Sequence, residues 1–482
     1  MTEQDADCPS AEASQPPALL RLSEAPPELL GCVSDNSGGR LVIVTGAGSS
    51  MDWPTGLRSG AEYSEMAFSA LVQDQLLASD SCDQPRDLSL VADAVFDAYG
   101  SQKNLTDRLP RSDWRNASPN EGHRIAAALL IDGLVRAIVT LNYDMAFQAA
   151  LSELGAPSQV TIAKGPEDHA KLSGRSLIYL HRSAESDPET WVLRKADLDE
   201  GWRGGWEAMI AAGVLYAPVT LFAGLGSPAA VLTETVGNLA GLGSKYYLAD
   251  PYGGGAFEQA LSGQLTAALQ LGWVELMRAL SVRAATAQAK QLELDCRDRA
   301  KALGLEHDHV EKVCEILGEI GIVYLGRLRS AWLLHSKQFS PRQDGPQSAH
   351  LADLALALNA AMLTLEADLE ITEDGGLCEL VIRDSGRTVS AQCVHGMGLH
   401  TWSAMLARLE MRTTRRLGSG RARVVIAAGV VEESRALPDD LVEGSPTSDD
   451  LVRGPEAVVL WKASELTSKT LNRDALLGRL VS

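Results

Sequence analysis

A turn rich in glycine and serine, Gly46-Ala47-Gly48-Ser49-Ser50, follows the apolar run at residues 41–44. Glycine has no Cβ, so backbone N–H groups in such a turn can approach a phosphate closely. Two close glycines also occur in ordinary tight turns, and Met51 stands where a dinucleotide fingerprint would have its third glycine. The turn therefore predicts either a phosphate-binding site or a simple connection between two elements.

Polar side chains follow two further apolar runs, at residues 134–139 and 176–180. The first run leads into Thr140-Leu141-Asn142-Tyr143-Asp144, and the second leads into His181. Polar groups at the carboxyl ends of parallel strands lie where open α/β sheets bind ligands. There Asn142 can contact a ribose, Asp144 can accept from a carboxamide, and neutral His181 can accept a proton near pH 7. Capping of a helix that begins at Met145 explains Asn142 and Asp144 equally well, and a lone histidine is more often structural.

The apolar runs alternate with helical patterns, which is typical of a parallel sheet covered by helices. Helices are predicted at residues 58–77, 88–99 and 124–132. Ser118 is the expected N-cap of the third helix, with Glu121 completing a capping box. A strand at residues 219–223 leads into Gly224-Leu225-Gly226-Ser227, and residues 246–250 are predicted to form the last strand of the sheet.

These stretches, in this order, resemble motifs of the sirtuin superfamily. The matching segments are Gly46-Ala47-Gly48-Ser49-Ser50, Pro119-Asn120-Glu121-Gly122-His123, Thr140-Leu141-Asn142-Tyr143-Asp144, Leu180-His181 and Gly224-Leu225-Gly226-Ser227. The resemblance covers residues 39–262 and implies a Rossmann-like domain that takes NAD as its substrate, with Asn142 and His181 as catalytic residues. The implied NAD-binding residues are Gly46, Ala47, Gly48, Ser49, Ser50, Asp144, Gly224, Gly226 and Ser227.

The sequence also departs from the protein deacylases of that family. No cysteine lies between Cys82 and Cys296, so the zinc module with two C-x-x-C pairs cannot be present in this form, and we expect no zinc. Trp53-Pro54-Thr55-Gly56-Leu57-Arg58 replaces the motif Gly-x-Pro-Asp-Phe-Arg. Leu141 takes a glutamine position, and Arg182 takes the glycine position after the histidine.

The Asn-Tyr-Asp form at 142–144 resembles a bacterial sirtuin-like branch found in antiphage-defence proteins that hydrolyse NAD. The resemblance therefore implies an NAD hydrolase with water as the acceptor. Two alternatives stand beside it. One is an NAD-dependent protein deacylase with a reduced peptide cleft, and the other is a non-catalytic module that binds NAD or ADP-ribose.

Composition places the chain among ordinary globular proteins. It has 482 residues, 45% of them apolar, and a formal charge of −20, which argues against non-specific nucleic-acid binding by the whole chain. Seven cysteines without a C-x-x-C pair fit reduced thiols. The acidic N-terminus does not fit a signal peptide, and no apolar run reaches the ~18 residues of a membrane span. We expect a cytoplasmic protein.

The remainder of the chain matches no family motif. We predict a flexible lead-in at 1–38, a helical region at 263–345 and an α+β domain at 346–482. Within the last, a helix is expected at 351–369. A hairpin is expected at 377–383 and 387–395, and strands are expected at 424–428 and 457–461.

Arginines recur on one face of a predicted helix, at Arg408, Arg412, Arg415 and Arg416, with Arg421 and Arg423 just beyond. This face suits an anionic ligand, nucleic acid or an acidic partner, and a solvated face balanced by the acidic run at 432–450 explains it as well. We hypothesise that residues 263–482 mediate homo-oligomerisation and gate the NAD site. The trigger would be phage-derived, linked to nucleic acid or a partner protein. A fragment of residues 1–262 should then be inert or unregulated.

Overall fold

A computed structural model describes residues 19–21, 25–34, 38–172, 174–199, 205–239, 241–305, 310–333, 335, 338–342, 346–371, 377–396, 424–429, 459–468 and 472–480. The predicted arginine face at 408–416, together with Arg421 and Arg423, lies outside the described residues. So does the acidic run at 432–450, and so do residues 1–18 of the predicted lead-in. No helix in the described ranges is long and apolar enough to cross a membrane.

Eight parallel strands form the larger sheet, as the predicted Rossmann-like α/β class requires. The strands are β1 Leu19–Leu20, β2 Leu41–Thr45, β3 Val135–Thr140, β4 Thr161–Ala163, β5 Ser176–Tyr179, β6 Val219–Ala223, β7 Lys245–Ala249 and β8 Ala267–Leu269. Their order across the sheet is β1-β8-β7-β6-β2-β3-β5-β4. The central strands β6, β2 and β3 therefore place three of the predicted motifs side by side.

Helices cover both faces of this sheet. They are α1 Pro27–Gly31, α2 Gly60–Gln73, α3 Leu88–Tyr99, α4 Lys103–Thr106, α5 Arg111–Arg115, α6 Glu121–Ile131, α7 Ala146–Glu153, α8 Lys195–Asp199, α9 Trp206–Leu215, α10 Ala230–Leu239 and α11 Ala256–Ala260. Strand β2 shows why its apolar run is continuous. Leu41 and Ile43 face one apolar core, and Val42 and Val44 face another on the opposite side.

The sheet extends beyond the predicted boundaries. Strand β7 is not the last strand, because β8 pairs with it beyond residue 262 and β1 pairs with β8 from within the predicted lead-in. Both added strands are very short, so they carry little periodic signal. The N-cap of α6 is Asn120 rather than Ser118, and His123 instead of Glu121 completes the capping box.

The C-terminal part consists of helices and a second, mixed sheet. Its elements are α12 Trp273–Leu303, α13 Val310–Glu319, α14 Gly321–Trp332, α15 Pro346–Thr364, β9 Ala367–Ile371, β10 Cys378–Ile382, β11 Thr388–Gly396, β12 Val424–Gly429, β13 Val459–Lys462, α16 Ala463–Leu466 and α17 Arg473–Arg479. The strand order is β13-β12-β11-β10-β9. The predicted hairpin is confirmed, because β10 and β11 pair antiparallel.

The apolar helix predicted at 351–369 begins and ends earlier than expected, at Pro346 and Thr364. Helix α15 ends at Thr364, and Glu366 adopts a left-handed conformation with φ 52°, which breaks the helix. The chain then continues as β9, which pairs antiparallel with β10. Periodicity did not separate the two elements, because β9 is only five residues long and follows the helix almost directly.

Helix α12 belongs to two hydrophobic cores. Its first half contributes Trp273, Leu276 and Leu280 to the core of the parallel sheet. Its second half contributes Cys296 and Ala300 to the core of the C-terminal region. A single 31-residue helix therefore joins the two parts of the chain.

A buried ion pair fastens the C-terminal helices to the end of α6. Asp132 follows α6 and lies 3.2 Å from Arg329 of α14, with side-chain exposures of 0% and 5%. The same carboxylate accepts from the Gln288 side chain and from the Arg342 backbone at 2.9 Å. Arg329 thus neutralises the Asp132 charge, and the Gln288 and Arg342 donors satisfy its oxygens, so that a charge costly to bury alone is compensated.

Replacing Arg329 with methionine is expected to lower the free energy of unfolding by about 3–5 kcal/mol, because it leaves Asp132 buried without its cation. Urea denaturation of the full chain measures the effect. Arg383→Met is the matched control, since Arg383 pairs with Asp368 on the surface at exposures of 58% and 55%. Arg383→Met should lower the free energy of unfolding by less than about 1 kcal/mol. Equal losses in the two variants would contradict the prediction.

Candidate active site

Four strand ends meet at one edge of the parallel sheet. The register aligns Thr45 of β2 with Thr140 of β3 and with Ala223 of β6, and it aligns Thr140 with Tyr179 of β5. The segments that follow these residues therefore emerge side by side. They are the glycine–serine turn, the Asn142–Asp144 segment, His181 and the Gly224 turn.

The two glycine turns pack directly against each other. Gly46 N donates to Ala223 O at 3.1 Å, and Gly48 N donates to Gly224 O at 2.9 Å. A Cβ added to Gly48 would lie 2.6 Å from Gly224 Cα. Gly224 itself has φ +67°, in the left-handed region. These glycines are therefore required by the contact between the loops, whether or not a phosphate binds there.

Gly48→Ala is expected to destabilise the protein by about 1–3 kcal/mol, because the new methyl group overlaps backbone that has no room to move. Thermal unfolding followed by circular dichroism measures the change. Gly60→Ala serves as the control, since a Cβ at Gly60 would meet nothing within 4 Å. A Gly48→Ala protein as stable as this control would show that the two turns separate easily.

Asn142 is the hub of the site. It is 8% exposed, and its Nδ2 lies within hydrogen-bond distance of Gly46 O (3.1 Å), Ser49 Oγ (3.3 Å) and Ser50 Oγ (3.1 Å). The side chain therefore turns back onto the glycine–serine turn. Asn142 does not cap the following helix. Helix α7 begins at Ala146, whereas the Asn142 side chain contacts the turn at 46–50.

Asp144 has a local and a long-range partner. Its Oδ1 accepts from Ala146 N at 3.0 Å, as an ordinary turn at a helix start would, and its Oδ2 accepts from Ser50 Oγ at 2.8 Å. Burial raises the pKa of Asp144, and these hydrogen bonds oppose that shift. Both oxygens are engaged, so a carboxamide would have to share them or displace a donor.

His181 lies against the same segment. Its ring is hydrogen-bonded to the Leu141 backbone, and its centroid is 6.3 Å from that of Tyr143. Burial and, to a smaller extent, the neighbouring Arg182 charge lower the pKa of His181 to about 4, while the hydrogen bond to Leu141 opposes that shift. The imidazole is therefore neutral near pH 7, as a general base requires.

Arg182, which follows His181 directly, adopts a left-handed backbone conformation. Its φ is +80°, and its guanidinium donates to Glu207 at 2.9 Å and lies 5.4 Å from the centre of the Trp206 ring. These contacts hold a non-glycine residue in a left-handed conformation directly after His181.

An aromatic cluster beside His181 was not predicted. Tyr143 stacks on Trp114 at 5.5 Å and lies 4.8 Å from Trp191, while its hydroxyl donates to Val192 O at 3.0 Å. The three rings come from separate segments of the chain. A spacing pattern could not have grouped them, although each is an aromatic residue next to a predicted motif.

The small residues at the outer side of the turns remain accessible. Gly226 and Ser227 are exposed, and a Cβ at Gly226 would meet nothing within 4 Å. Ala47 and Gly48 are half-buried. A pyrophosphate can therefore reach this edge. By contrast, three backbone N–H groups of the predicted phosphate-binding turn already donate hydrogen bonds within the protein. They belong to Gly46, Gly48 and Ser49.

A cavity of about 570 Å³ lies beside the loop that follows Ser50. It is lined by Pro54, Thr55, Gly56, Leu57, Arg58, Tyr63, Met66, Arg108, Pro110, Asp113, Asn116, Ala117 and Ser118. The segment that replaces the deacylase motif thus forms one wall of this cavity. Asn142, Asp144 and His181 do not line it. In the described part of the chain, no three His, Cys, Asp or Glu side chains are grouped so that they could hold a metal ion.

No protein-family model matches this chain, and no curated protein matches it. Solved Sir2 structures are similar over about half of it. A Sir2 homologue in complex with NAD is 16% identical, covering 56% of this chain and 95% of its own at a TM-score of 0.32. A mutant Sir2 homologue bound to ADP-ribose is 18% identical, covering 58% and 99% at a TM-score of 0.32. A mutant complex with 2′-O-acetyl ADP-ribose is 18% identical, covering 53% and 94% at a TM-score of 0.32.

Proposed function

We propose that this protein is an NAD glycohydrolase that cleaves NAD to nicotinamide and ADP-ribose. The observation that carries the proposal is the convergence of four strand ends, which brings Asn142, Asp144 and His181 to the two glycine turns. Open α/β sheets bind nucleotides at such an edge. The site combines small residues for a pyrophosphate with one amide, one carboxylate and one neutral imidazole.

In the proposed reaction, water adds to the ribose C1′ while the bond from C1′ to the nicotinamide nitrogen breaks. Nicotinamide leaves with the electron pair of that bond, and positive charge develops on the sugar, as in glycoside cleavage. His181 accepts the proton that the water loses. Asn142 orients the ribose and the water, Asp144 holds the carboxamide, and the turn at 46–50 with Gly224, Gly226 and Ser227 holds the pyrophosphate.

The engaged hydrogen bonds favour a second candidate function. Ser49, Ser50, Asn142 and Asp144 bond to one another, so their polar atoms are largely satisfied without a ligand. A module that binds NAD or ADP-ribose without turnover would show the same arrangement. In the hydrolase, NAD must displace some of these bonds if Asn142 and Asp144 are to contact it.

Incubating the full chain with NAD, with and without an acetylated peptide, separates the candidates. Nicotinamide and ADP-ribose released without peptide support the hydrolase. Release only with peptide supports an NAD-dependent deacylase, and NAD binding measured by calorimetry without any product supports the silent module. Products are quantified by chromatography, and His181→Ala provides the blank.

The rate of NAD cleavage is expected to stay constant between about pH 6 and pH 8 and to fall as the pH drops through about 4. The reason is that burial lowers the pKa of His181 to about 4, so the active neutral form persists far below the ordinary histidine value. The pH dependence of kcat/KM measures this pKa in the free enzyme. An inflection between pH 6 and 7 would contradict the assignment of His181, with its lowered pKa, as the base.

The biological role in the proposal rests on the resemblance of the Asn-Tyr-Asp form to antiphage-defence proteins. We infer an effector that depletes NAD during infection, as in abortive infection, and that is held inactive by its C-terminal half until a phage-derived, nucleic-acid-linked or protein trigger arrives. Bacteria that express the chain should lose NAD after infection, whereas bacteria that express His181→Ala should not. Equal NAD levels in the two strains after infection would contradict the defence role. The proposed NAD glycohydrolase activity would still be decided by the assay on the purified chain.

A further inference from the structure

The start of helix α12 reaches the candidate active site. Trp273, the first residue of α12, is 4% exposed and packs beside His123 and Phe147, with ring centroids 6.0 and 6.1 Å away. Its indole lies on the first turn of α6, where a Cβ on Gly122 would come within 2.2 Å of Nε1. Glycine at this position therefore makes room for the indole.

One side chain connects this tryptophan to the glycine–serine turn. Asn120 Oδ1 accepts from His123 N at 3.1 Å and from Trp273 Nε1 at 3.3 Å, while Asn120 Nδ2 donates to Ser49 O at 2.8 Å. The two donors fix the orientation of the amide, because a flipped amide would set its NH₂ group against two N–H groups. Only the observed orientation presents a donor to Ser49.

Ser49 in turn contacts the hub of the site, since its hydroxyl lies 3.3 Å from Asn142 Nδ2. We propose that Trp273 is a positioning residue, which fixes Asn120 and through it the turn at 46–50 against Asn142. The C-terminal helices would thereby set the geometry of the active site from a distance. This inference rests on the proposed function for its kinetic consequence, but not for its structural one.

The other contacts between α6 and the C-terminal helices agree with this role. Arg278 of α12 donates to Glu121 at 2.9 Å at the start of α6, and Arg329 holds Asp132 at its end. Helix α6 is thus held at both ends by elements of the C-terminal part. A displacement of α12 would be transmitted to Asn120 directly, because Trp273 and Asn120 share a hydrogen bond.

Trp273→Phe tests the inference in the full chain, because it removes the indole N–H and keeps most of the ring. The matched control is Trp332→Phe, since Trp332 is buried in the other core and its Nε1 has no hydrogen-bond partner among the described residues. Hydrogen exchange measured by mass spectrometry should become faster in peptides covering 45–58 and 118–124 in Trp273→Phe only. Peptides covering β6 should not change.

The kinetic readout is a fall in kcat for NAD of about tenfold in Trp273→Phe, which is the effect of losing one buried hydrogen bond, with KM changed less than about threefold. Asn120→Asp keeps the acceptor for Trp273 and loses the donor to Ser49, so it should show the same faster exchange. Combining the two substitutions should add little to either, as expected for residues that act in series.

Exchange and kcat in Trp273→Phe equal to those of Trp332→Phe would overturn the inference. Should Trp273→Phe fail to fold, unchanged exchange at 45–58 in Asn120→Asp would overturn it instead. A wild-type chain that does not cleave NAD defeats the proposed function alone. In that case faster exchange at 45–58 in Trp273→Phe still supports the positioning role, and unchanged exchange still refutes it.

Discussion

Replacing Asn142 or His181 with alanine is expected to lower the rate of NAD cleavage by about 10²–10⁴-fold, the usual effect of removing one base or orienting group. His181 is the group whose neutral form is available to take a proton from water. Asn142 holds three oxygen atoms of the turn together, and these are the atoms that NAD must approach. In His181→Ala, the loss of rate should appear as a lower kcat.

The two variants should differ in stability. His181→Ala removes a half-buried ring, whereas Asn142→Ala leaves the two serine hydroxyls and Gly46 O without a shared donor. Asn142→Ala should therefore also unfold at a lower temperature, by an amount corresponding to about 1–3 kcal/mol. Circular dichroism and the NAD assay on the same samples separate the two effects.

Asn104→Ala and His169→Ala are matched controls, because Asn104 and the exposed His169 lie outside the site. Both should retain full turnover. Near wild-type turnover in either Asn142→Ala or His181→Ala would mean that the site has been assigned to the wrong residues.

A fragment that ends at residue 262 is expected not to fold cooperatively. It lacks β8, which pairs with β7 and β1, and it lacks the apolar side chains of Trp273, Leu276 and Leu280, which fill the core of the parallel sheet. It also leaves Asp132 buried without Arg329. Any inactivity of this fragment would therefore report lost folding rather than lost gating, so the fragment cannot test regulation.

Urea denaturation and near-ultraviolet circular dichroism of the fragment test this expectation. In the full chain, Leu280→Ala should cost about 2–5 kcal/mol, because Leu280 is fully buried. Leu294→Ala on the same helix is the control, since Leu294 is 46% exposed, and it should cost less than about 1 kcal/mol. A fragment 1–262 with a sharp unfolding transition would show that the parallel sheet is complete without α12.

The sequence by itself determined the elements with strong local signals. Strands β2, β3, β5 and β6 were predicted from their continuous apolar runs, because a strand covered on both faces has no polar side. Helix α3 was predicted with its observed bounds, 88–99, and the hairpin at β10 and β11 was predicted as two strands joined by the turn Asp384-Ser385-Gly386. Side chains that follow such strands could be named as site candidates, because parallel strands end at a common edge.

Only the tertiary structure decided how those side chains are used. Asn142 turned out to bind the glycine–serine turn, and Asp144 turned out to serve both Ser50 and the start of α7. Gly46 and Gly48 are needed because Gly224 packs against them, a contact between residues about 175 positions apart in the chain that no local pattern encodes. Strand β8 and the contact of Trp273 with Asn120 could likewise not be predicted from the sequence, because a short strand or a single tryptophan has no periodic pattern. Such contacts depend on which surfaces the folded chain brings together, and that is settled by packing over long sequence distances.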